Sequence, residues 1–354
     1  MNGYEEKLLL LEKENLALKS QVQAINNTLH ELCGAMNGML TQIKNSIDRT
    51  DNLCVAFGQL SSTLSNIPYE LKDPQDGKIH LFYPKFRSNE ETLRLITEEG
   101  KSLARFGDGE FTVAFHICRQ KFQRVDEKLA KRIWEVVQSS HPDLLIAIAD
   151  NYGLLSEYSD QAAMGIRMYM TEDTRRQHEQ IIPADRIYSN AYITRPYVMY
   201  RDVFTEGPKK RFDALKKIWA DKKVIVVEGA QTRLGVGNDL LDGASCLRRI
   251  IAPATSSFDR YDDILAECLR HAESADLFLL AIGPSSGILA YDLTVNGYQA
   301  VDVGHIDLEY EWFRAGRGTR VPVPHKYNNE LEGGDMVEPV HDPAYESSVI
   351  ASFA

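Results

Sequence analysis

The feature that most constrains this chain is a continuously apolar run, Leu277 to Ile282, that leads directly into a glycine-bounded turn. The turn, Gly283 to Gly287, precedes a predicted helix that ends at Asn296-Gly297, and a second predicted strand, Tyr298 to Val303, follows. A strand, a helix and a parallel strand in this order form a βαβ unit, here with a serine as the candidate helix N-cap. Such short, continuously apolar runs are typical of strands that are covered by helices on both faces.

The same alternation of helices and strands extends back to about residue 88. Predicted helices are Glu90–Gly100, Lys128–Ser139, Glu157–Glu179 and Tyr261–Ala272, and predicted strands are Ser102–Phe106, Leu144–Ala149, Lys223–Val227 and Leu247–Ala252. The sequence therefore predicts an α/β fold with a mostly parallel sheet and flanking helices. Ligands bind such sheets beyond the carboxyl ends of the strands, so the loops that follow the strands should gather at one rim.

Composition excludes several classes of protein. The five cysteines are scattered and form no CxxC pair, which argues against a disulfide framework and against a zinc site. A net charge of −11 makes nucleic acid a poor partner, because phosphate backbones attract clustered Lys and Arg. No apolar stretch approaches the roughly 20 residues of a membrane helix, and the acidic N-terminus lacks a secretory apolar core, so we expect a cytoplasmic protein.

The N-terminal residues 4–67 carry an apolar heptad repeat that predicts a coiled coil of roughly 95 Å. The a positions are Leu8, Asn15, Val22, Leu29, Met36, Ile43, Thr50, Phe57 and Leu64, and the d positions are Tyr4, Leu11, Leu18, Ile25, Leu32, Met39, Ser46, Leu53, Leu60 and Ile67. Opposite charges meet across a parallel pair, Lys7 with Glu12 and Glu14 with Lys19, and Asn15 can pair with its own copy. A parallel oligomer, with a dimer favoured over a trimer, is the first interpretation, and a helical hairpin around Gly34 and Gly38 is the alternative.

The sequence also suggests where the domains end. Prolines at 68 and 74 and the Asp76-Gly77 turn should interrupt the helix, which places a linker at 68–80. The body then spans 81–326. Residues 327–354 are acidic, because from Asn328 to Ala354 they hold six acids and no Lys or Arg, and they are typical of a poorly ordered or surface-wrapping tail.

The first candidate loop contains Arg105, Gly107, Asp108 and Glu110. The two carboxylates, separated by one glycine, can turn toward one point, and their hard oxygens suit Mg²⁺ or Mn²⁺. A divalent cation would let them face a diphosphate, to which Arg105 could add a contact. The alternative is an ordinary acidic turn, since Asp-Gly is a common turn signal.

The second candidate loop follows the strand at Val227 and contains Arg233, Gly235, Gly237, Asn238 and Asp239. A helix starting near Asn238 would present free backbone N–H groups to an anion. Only two glycines of a dinucleotide fingerprint are present, because position 240 is Leu, so a plain strand–helix connection is an equal alternative.

Two further segments offer phosphate contacts. Ser285 and Ser286 place two hydroxyls at a predicted helix mouth, where they could cap the helix, bind phosphate or do both. Arg195 precedes a proline, which holds its backbone extended, and it could clamp a diphosphate. A surface salt bridge is the equal alternative for Arg195.

The last candidate loop contains His305, Asp307, Glu309 and Glu311, directly after the last predicted strand. A carboxylate there could act as general base on an acceptor hydroxyl or as a further metal ligand. The alternatives are a solvated acidic helix start and, for His305, a structural histidine. Four polar groups at the rim favour the functional interpretation.

Together, the segments RFGDGEF, SNAYITRPY, VVEGAQTRLGVGNDLL, RRIIAPA and AIGPSSGILAYDLTVNGYQAVDVGHIDLEYEW resemble the GT-D-fold glycosyltransferase family. This family was first described as a domain of unknown function and is found in bacterial protein and surface-polysaccharide glycosylation. The resemblance covers roughly Phe82 to Lys326, in matching order. It implies a Rossmann-like sheet distinct from the GT-A and GT-B folds, an Asp-x-Glu metal motif, a UDP-sugar donor and inversion at the anomeric carbon.

Carried over by position, the resemblance implies that Asp108 and Glu110 hold the metal. It places Arg105, Arg195, Arg233 and the loop Gly235–Asp239 toward the donor. It also implies that the base lies in the segment from His305 to Glu311, but it does not identify which carboxylate acts. The coiled coil is an addition to the family pattern.

Two other classes of function stay open at this point. One is a coiled-coil scaffold with a degenerate nucleotide-binding body, against which the intact acidic motif argues. The other is a metal-dependent phosphoesterase, against which the lack of a second His/Asp cluster argues. The preferred hypothesis is transfer of a hexose from a UDP-sugar to a glycan or glycoprotein acceptor.

Overall fold

The computed structural model describes residues 3–44, 51–71, 81–117, 126–328 and 330–354. The chain divides into two compact units, Met1–Leu60 and Ser61–Ala354. The helices are α1 (Gly3–Lys44), α2 (Asp51–Leu71), α3 (Asn89–Thr97), α4 (Asp108–Ala114), α5 (Glu127–Val137), α6 (Asp160–Tyr169), α7 (Glu172–Ile181), α8 (Gly207–Lys216), α9 (Tyr261–His271), α10 (Ser285–Val295), α11 (Ile306–Arg314) and α12 (Pro343–Ser348). The strands are β1 (Lys85–Phe86), β2 (Ser102–Phe106), β3 (Leu144–Ile148), β4 (Ile187–Asn190), β5 (Lys223–Gly229), β6 (Cys246–Ala252), β7 (Leu277–Ala281), β8 (Ala300–Asp302) and β9 (Val349–Ser352).

In the first unit, α1 is one helix that runs through Gly34 and Gly38, so the alternative of a hairpin turning there is wrong. Several of its heptad side chains are exposed: Leu11, Leu18, Val22, Ile25, Leu29 and Leu32. An exposed apolar stripe at these positions is what one chain of a coiled coil presents to its partner. Pairing with a second copy stays a prediction, and the heptad positions at 45–50 lie outside the described residues. Among the described helices, none is long and apolar enough to cross a membrane.

Helix α2 continues through Pro68 to Leu71, which corrects the prediction that a linker begins at residue 68. A proline inside a helix costs about 3 kcal/mol, because it removes a hydrogen bond and clashes with the preceding turn. Packing offsets this cost, since Arg167 of α6 donates two hydrogen bonds to the Glu70 carboxylate, at 2.6 and 2.9 Å. The rest of the predicted linker, 72–80, lies outside the described residues.

The sheet in the described part of the chain has nine strands in the order β1-β4-β3-β2-β8-β7-β5-β6-β9, and each neighbouring pair is parallel. This confirms the predicted parallel α/β fold. The central neighbours β2 and β8 pair at Leu103 and Val301. Helix α4, which follows β2, packs into the core on one face, whereas α11, which follows β8, packs into the core on the other. Connections that leave adjacent strands toward opposite faces make a switch point, where ligands bind open α/β sheets.

Close packing of α10 on β2 shapes this switch point. A Cβ at Gly287 would lie 3.1 Å from the Phe106 ring and 3.2 Å from the Arg105 carbonyl oxygen, so a glycine lets the helix approach the strand. Phe106 itself is fully buried beneath α10. The carboxyl end of β2 is therefore held rigidly where the acidic motif begins.

Three predicted segments differ from the structure. The region Glu157–Glu179 forms two helices, because Thr171 caps a second helix, α7, with its hydroxyl. No helix starts at Asn238; residues 230–243 form successive turns. The tail 327–354 is not poorly ordered over its last residues, because they form α12 and β9, and β9 extends the sheet by pairing with β6.

Candidate active site

The predicted metal motif lies where β2 ends and α4 begins. Gly107 is extended, and Asp108 is the first residue of α4. The Glu110 carboxylate turns back and accepts a hydrogen bond from the Gly107 amide, with 2.7 Å between N and Oε2. The motif is therefore the first turn of a helix at the carboxyl end of the sheet, where the helix dipole favours negative charge.

The charges around Glu110 are mostly of its own sign. Burial raises the pKa of Glu110 above its ordinary value, the Gly107 amide lowers it, and the carboxylates of Asp302 and Asp108 raise it further. Three carboxylates thus lie within electrostatic reach of one another. In the described part of the chain, no set of three His, Cys, Asp or Glu side chains has ligand geometry. A cation held by Asp108 and Glu110 would have to take its other ligands from substrate phosphates and water.

Arg105 is bound by neighbouring protein groups, and its role as a phosphate contact stays a prediction. Its Nε and Nη2 donate to the backbone oxygen and Oδ1 of Asp302, both at 2.9 Å, and Nη1 donates to the Ala191 oxygen at 3.4 Å. A Cβ at Gly304 would lie 1.9 Å from Nη2, so this position requires glycine. Arg105 thus holds Asp302 beside Glu110.

Tyr192 connects the metal motif to Arg195. Its hydroxyl donates to Asn151 Oδ1 at 2.7 Å. Burial raises the pKa of Tyr192, Asp108 raises it further and Arg195 lowers it, so both charged groups act on this hydroxyl. The predicted diphosphate clamp and the predicted metal motif are therefore brought to the same part of the rim.

Arg195 lies between two carboxylates. Its Nη1 and Nη2 donate to the two oxygens of Glu330, at 2.8 and 2.7 Å. Its Nε lies 3.4 Å from Glu309 Oε1. The pKa of Arg195 is raised, because both carboxylates stabilise its charge against the effect of burial. His305 joins this group, with Nδ1 3.3 Å from Glu330 Oε1.

The carboxylates of α11 are largely engaged by neighbouring donors. Glu309 is fully buried, and its Oε2 accepts from the amides of Tyr197 and Val198, at 3.0 and 2.9 Å. Asp307 is also buried, accepts from the Gly235 amide at 3.0 Å, and pairs with Lys326. These contacts are typical of structural carboxylates.

Glu311 is less enclosed, with a side chain that is 20% exposed. Its Oε1 accepts from Asn238 Nδ2 at 2.6 Å and lies 3.3 Å from Lys326 Nζ. His305, with a side chain that is 37% exposed, is the other member of the segment that reaches solvent. The prediction of a base in this segment therefore narrows to these two residues.

The second predicted loop packs against α11 and the C-terminal segment instead of opening a helix toward an anion. Asn238 Nδ2 donates to Asp307 at 2.8 Å, and Arg233 Nη1 donates to the backbone oxygens of His325 and Glu338, at 2.7 and 2.8 Å. Asp239 accepts from Lys216 at 2.8 Å. Side chains of this loop that were predicted to face the donor are thus bound to the protein.

Gly235 and Gly237 both have positive φ, which allows the successive turns of this loop. A Cβ at Gly235 would lie 2.9 Å from the Leu241 side chain. These glycines serve the compact loop, which is the alternative that the sequence left open. The predicted anion-binding helix N-terminus was wrong, because glycines that permit turns do not by themselves start a helix.

The two serines at α10 also bond within the protein. Ser285 is fully buried and accepts from the Ser257 hydroxyl at 2.9 Å, and the Ser286 hydroxyl accepts from the Ile282 amide at 2.9 Å. Neither is the helix N-cap, which is Pro284. Their hydroxyls join the turn to neighbouring segments, and phosphate binding by them stays a prediction without support from their contacts.

Sequence reasoning missed four charged residues of the rim: Asp302, Arg320, Lys326 and Glu330. Asp302 ends the strand β8, so its position at a strand end was a usable signal. Burial raises the pKa of Asp302, against the lowering effect of Arg105. Arg320, Lys326 and Glu330 follow β8 by about twenty residues or more, in segments without periodicity, and no local signal marks them.

This chain is similar to known glycosyltransferases in both sequence and fold. A model of the family described as "Glycosyltransferase GT-D fold" matches residues 103–331. "Glycosyltransferase GlyD" of Streptococcus pneumoniae serotype 4 is 35% identical over 264 residues, which are 74% of this chain and 32% of GlyD. "Probable glycosyl transferase Gly" of Streptococcus gordonii is 33% identical over 295 residues, which are 80% of this chain and 40% of that protein. The chain thus spans about a third to two fifths of these relatives.

Solved structures agree over most of the chain. A glycosyltransferase from Streptococcus sanguinis with the domain of unknown function 1792 superimposes with a TM-score of 0.72 at 33% identity, over 77% of this chain and all of that one (100%). A second structure of that domain, described as having a distinct glycosyltransferase fold, gives a TM-score of 0.71 at 32% identity, over 76% of this chain and 95% of that one.

Proposed function

Because the chain belongs to the GT-D-fold glycosyltransferase family, we propose that it transfers a hexose from a UDP-sugar to a glycan or glycoprotein acceptor, with inversion. The observation that carries this proposal is the pair Asp108 and Glu110 at the switch point, beside the buried Asp302. A cluster of like charges at this position suits a divalent cation and a diphosphate better than it suits a folded core.

In this proposal, Asp108 and Glu110 hold Mn²⁺ or Mg²⁺. The cation would neutralise charge on the leaving diphosphate. Asp302, held by Arg105, keeps the local potential negative, which strengthens attraction for a cation. One oxygen of Glu110 stays on the Gly107 amide, so the chain fixes the orientation of the carboxylate before a cation binds.

The donor would lie between the metal motif and Arg195. Arginine presents a planar fork of donors that matches two phosphate oxygens. Its proximity to Asp108 is supported by the effect of both residues on the pKa of Tyr192. The Tyr192 hydroxyl, fixed by Asn151, would border the same space and help to exclude water.

The base that accepts the proton of the acceptor hydroxyl is proposed to be His305 or Glu311. They are the members of the predicted segment whose side chains reach solvent. Asp307 and Glu309 are disfavoured, because both side chains are buried and an acceptor hydroxyl does not reach them from solvent.

The N-terminal helix is proposed to join two copies of the chain in a parallel coiled coil. The exposed apolar side chains of α1 follow the heptad. The charges at Lys7, Glu12, Glu14 and Lys19 are complementary across a parallel pair. Self-association in this form leaves the rim of the second unit to bind the donor and the acceptor.

The test is a UDP-release assay over a panel of UDP-sugars with Mn²⁺, first without acceptor and then with glycan acceptors. We expect slow hydrolysis of one preferred donor, faster UDP release with an acceptor, and loss of both in excess EDTA. Full activity in EDTA would contradict the metal role. Release of phosphate from simple esters would favour a phosphoesterase, and a lack of UDP and UDP-sugar binding in calorimetry with Mn²⁺ would favour a scaffold.

A further inference from the structure

A carboxylate of the chain itself occupies a cluster of cationic side chains at the rim. Glu330 accepts from both terminal nitrogens of Arg195, and its Oε2 also lies 3.5 Å from Arg320 Nε. Its Oε1 lies 3.3 Å from His305 Nδ1. We propose that Arg195 and Arg320, here termed the cationic cluster, form with the neighbouring His305 a diphosphate subsite that Glu330 occupies until a nucleoside diphosphate displaces it.

This inference rests on the proposed function, which supplies the diphosphate. The geometry of the contact supports it, because the Glu330 carboxylate meets the guanidinium fork of Arg195 with two oxygens, as a phosphate would. The pKa of Glu330, which burial would raise, is held well below its ordinary value by Arg195 and His305. The cluster thus binds an anion strongly, and the anion in the free protein is part of the chain.

Of the two carboxylates that contact Arg195, Glu330 is the one that a ligand could displace. Glu309 is fully buried and accepts from two backbone amides, at 3.0 and 2.9 Å, so it stays in place and orients the guanidinium through Nε. The Glu330 side chain is 23% exposed. Its backbone amide is held by the Asn328 side chain at 2.9 Å, on a turn and not on a helix or strand.

Two polar atoms near Glu330 leave hydrogen-bonding capacity unused while Glu330 contacts Arg195. Within the described residues, Thr194 Oγ1 and Asn328 Nδ2 are buried without a hydrogen-bond partner. Thr194 precedes Arg195, and Asn328 supports the amide of Glu330. A buried polar atom without a partner is destabilising. A turn that carries this cost is easier to displace than a fully bonded one.

The position of the cluster links it to the metal motif. His305 precedes α11 at the end of β8, and β8 is the neighbour of β2, after which Asp108 follows. Arg195 and Asp108 both act on the Tyr192 hydroxyl. A diphosphate bound by the cationic cluster would therefore lie near the carboxylates that are proposed to hold the cation.

The experiment is calorimetric titration of the full chain with UDP and, separately, with inorganic pyrophosphate, each with Mn²⁺. Glu330→Gln keeps the size of the side chain and removes its charge. If the occupied state dominates by about ten to one, removing it tightens the apparent Kd about ten-fold. Glu338→Gln is the matched control, because Glu338 is an exposed acid of the same segment whose side chain lies 3.7 Å from His325. We expect no change in that variant.

The double variant Arg195→Gln/Glu330→Gln should lose the gain, because the fork that receives the phosphate is gone. Unchanged or weaker binding of both ligands by Glu330→Gln would overturn the inference, even if the wild-type protein hydrolyses a UDP-sugar and the proposed function stands. Tighter pyrophosphate binding by Glu330→Gln without any UDP binding would retain the subsite and overturn the UDP-sugar assignment. Glu330→Ser is the second variant if Glu330→Gln proves unstable, with the same expected gain.

Discussion

Two helices begin at the rim with acidic residues in their first turns, and their carboxylates have different surroundings. On α4, burial and the carboxylates of Asp302 and Asp108 raise the pKa of Glu110. On α11, Asp307 pairs with Lys326 and Glu309 lies beside Arg195. The sign of the neighbouring charge, more than the presence of acids after a strand, thus distinguishes the carboxylates that we propose to bind a cation from the structural ones.

The largest expected effect follows from removing the acids of α4. Asp108→Asn and Glu110→Gln should each reduce UDP release with acceptor by about 1,000-fold, because a metal-stabilised leaving group contributes several kcal/mol to the barrier. Glu110→Gln keeps an oxygen for the Gly107 amide, so folding should be retained. Steady-state UDP release with Mn²⁺ and a thermal melt check both statements; a variant that melts normally and turns over at the wild-type rate would refute the role.

The complementary change on α11 should act on stability. Lys326→Met leaves the buried Asp307 without its cation and should cost about 3–5 kcal/mol in the free energy of unfolding. The double variant Lys326→Met/Asp307→Asn removes the uncompensated charge and should recover much of that loss. Urea denaturation measures both, and equal losses in the single and double variants would show that the pair does not carry the effect.

A buried histidine that packs against α4 makes the free energy of unfolding depend on pH. His178 is buried between the hydroxyls of Tyr152 and Tyr169, at 2.6 and 2.9 Å, and its ring centroid lies 4.5 Å from that of Phe111 in α4. Burial, with a contribution from Arg175, lowers the pKa of His178 from 6.5 to about 3. Between these values, the unfolded chain binds a proton that the folded chain does not bind.

Stability from His178 is therefore present above pH 6.5 and is lost as pH falls toward 3, at about 1.4 kcal/mol per pH unit. Urea denaturation of the wild-type protein and of His178→Gln between pH 7 and pH 5 should give curves that converge by about 2 kcal/mol. Parallel curves would mean that the histidine does not titrate on unfolding in this range.

A smaller effect is expected from Glu309→Gln. The amide oxygen still accepts from Tyr197 and Val198, but the charge beside Arg195 is lost. We expect a change of less than about ten-fold, mainly in KM for the donor, whereas loss of a general base costs roughly 100- to 10,000-fold in kcat. If Glu309→Gln reduced kcat for transfer to the acceptor at least a hundred-fold and left donor hydrolysis unchanged, Glu309 would be the base.

The sequence predicted the central strands because a strand that is buried on both faces has a largely apolar sequence. Leu277 to Ala281 and Ser102 to Phe106, for example, form strands where the pattern placed them. It predicted less of the site, because charge pairing depends on residues far apart in the chain. Glu330 meets Arg195 across 135 positions, and nothing near either residue signals the other. Similarly, the contact of Glu70 with Arg167 keeps α2 helical beyond Pro68, where local propensity predicts an end.

The smallest effect on chemistry should come from the first unit, which carries no part of the rim as proposed. Leu18 lies at a d position and Leu16 lies outside the seam, and both side chains are exposed, at 59% and 72%. Leu18→Asp should convert a dimer to a monomer in light scattering, because a charge in the seam is not compensated, whereas Leu16→Asp should leave the dimer intact. Donor hydrolysis should stay within about two-fold in both variants, because no residue of the first unit is among those proposed to bind the donor. Equal dissociation by the two variants would contradict the heptad seam, and a large loss of hydrolysis in Leu18→Asp alone would show that the rim depends on self-association.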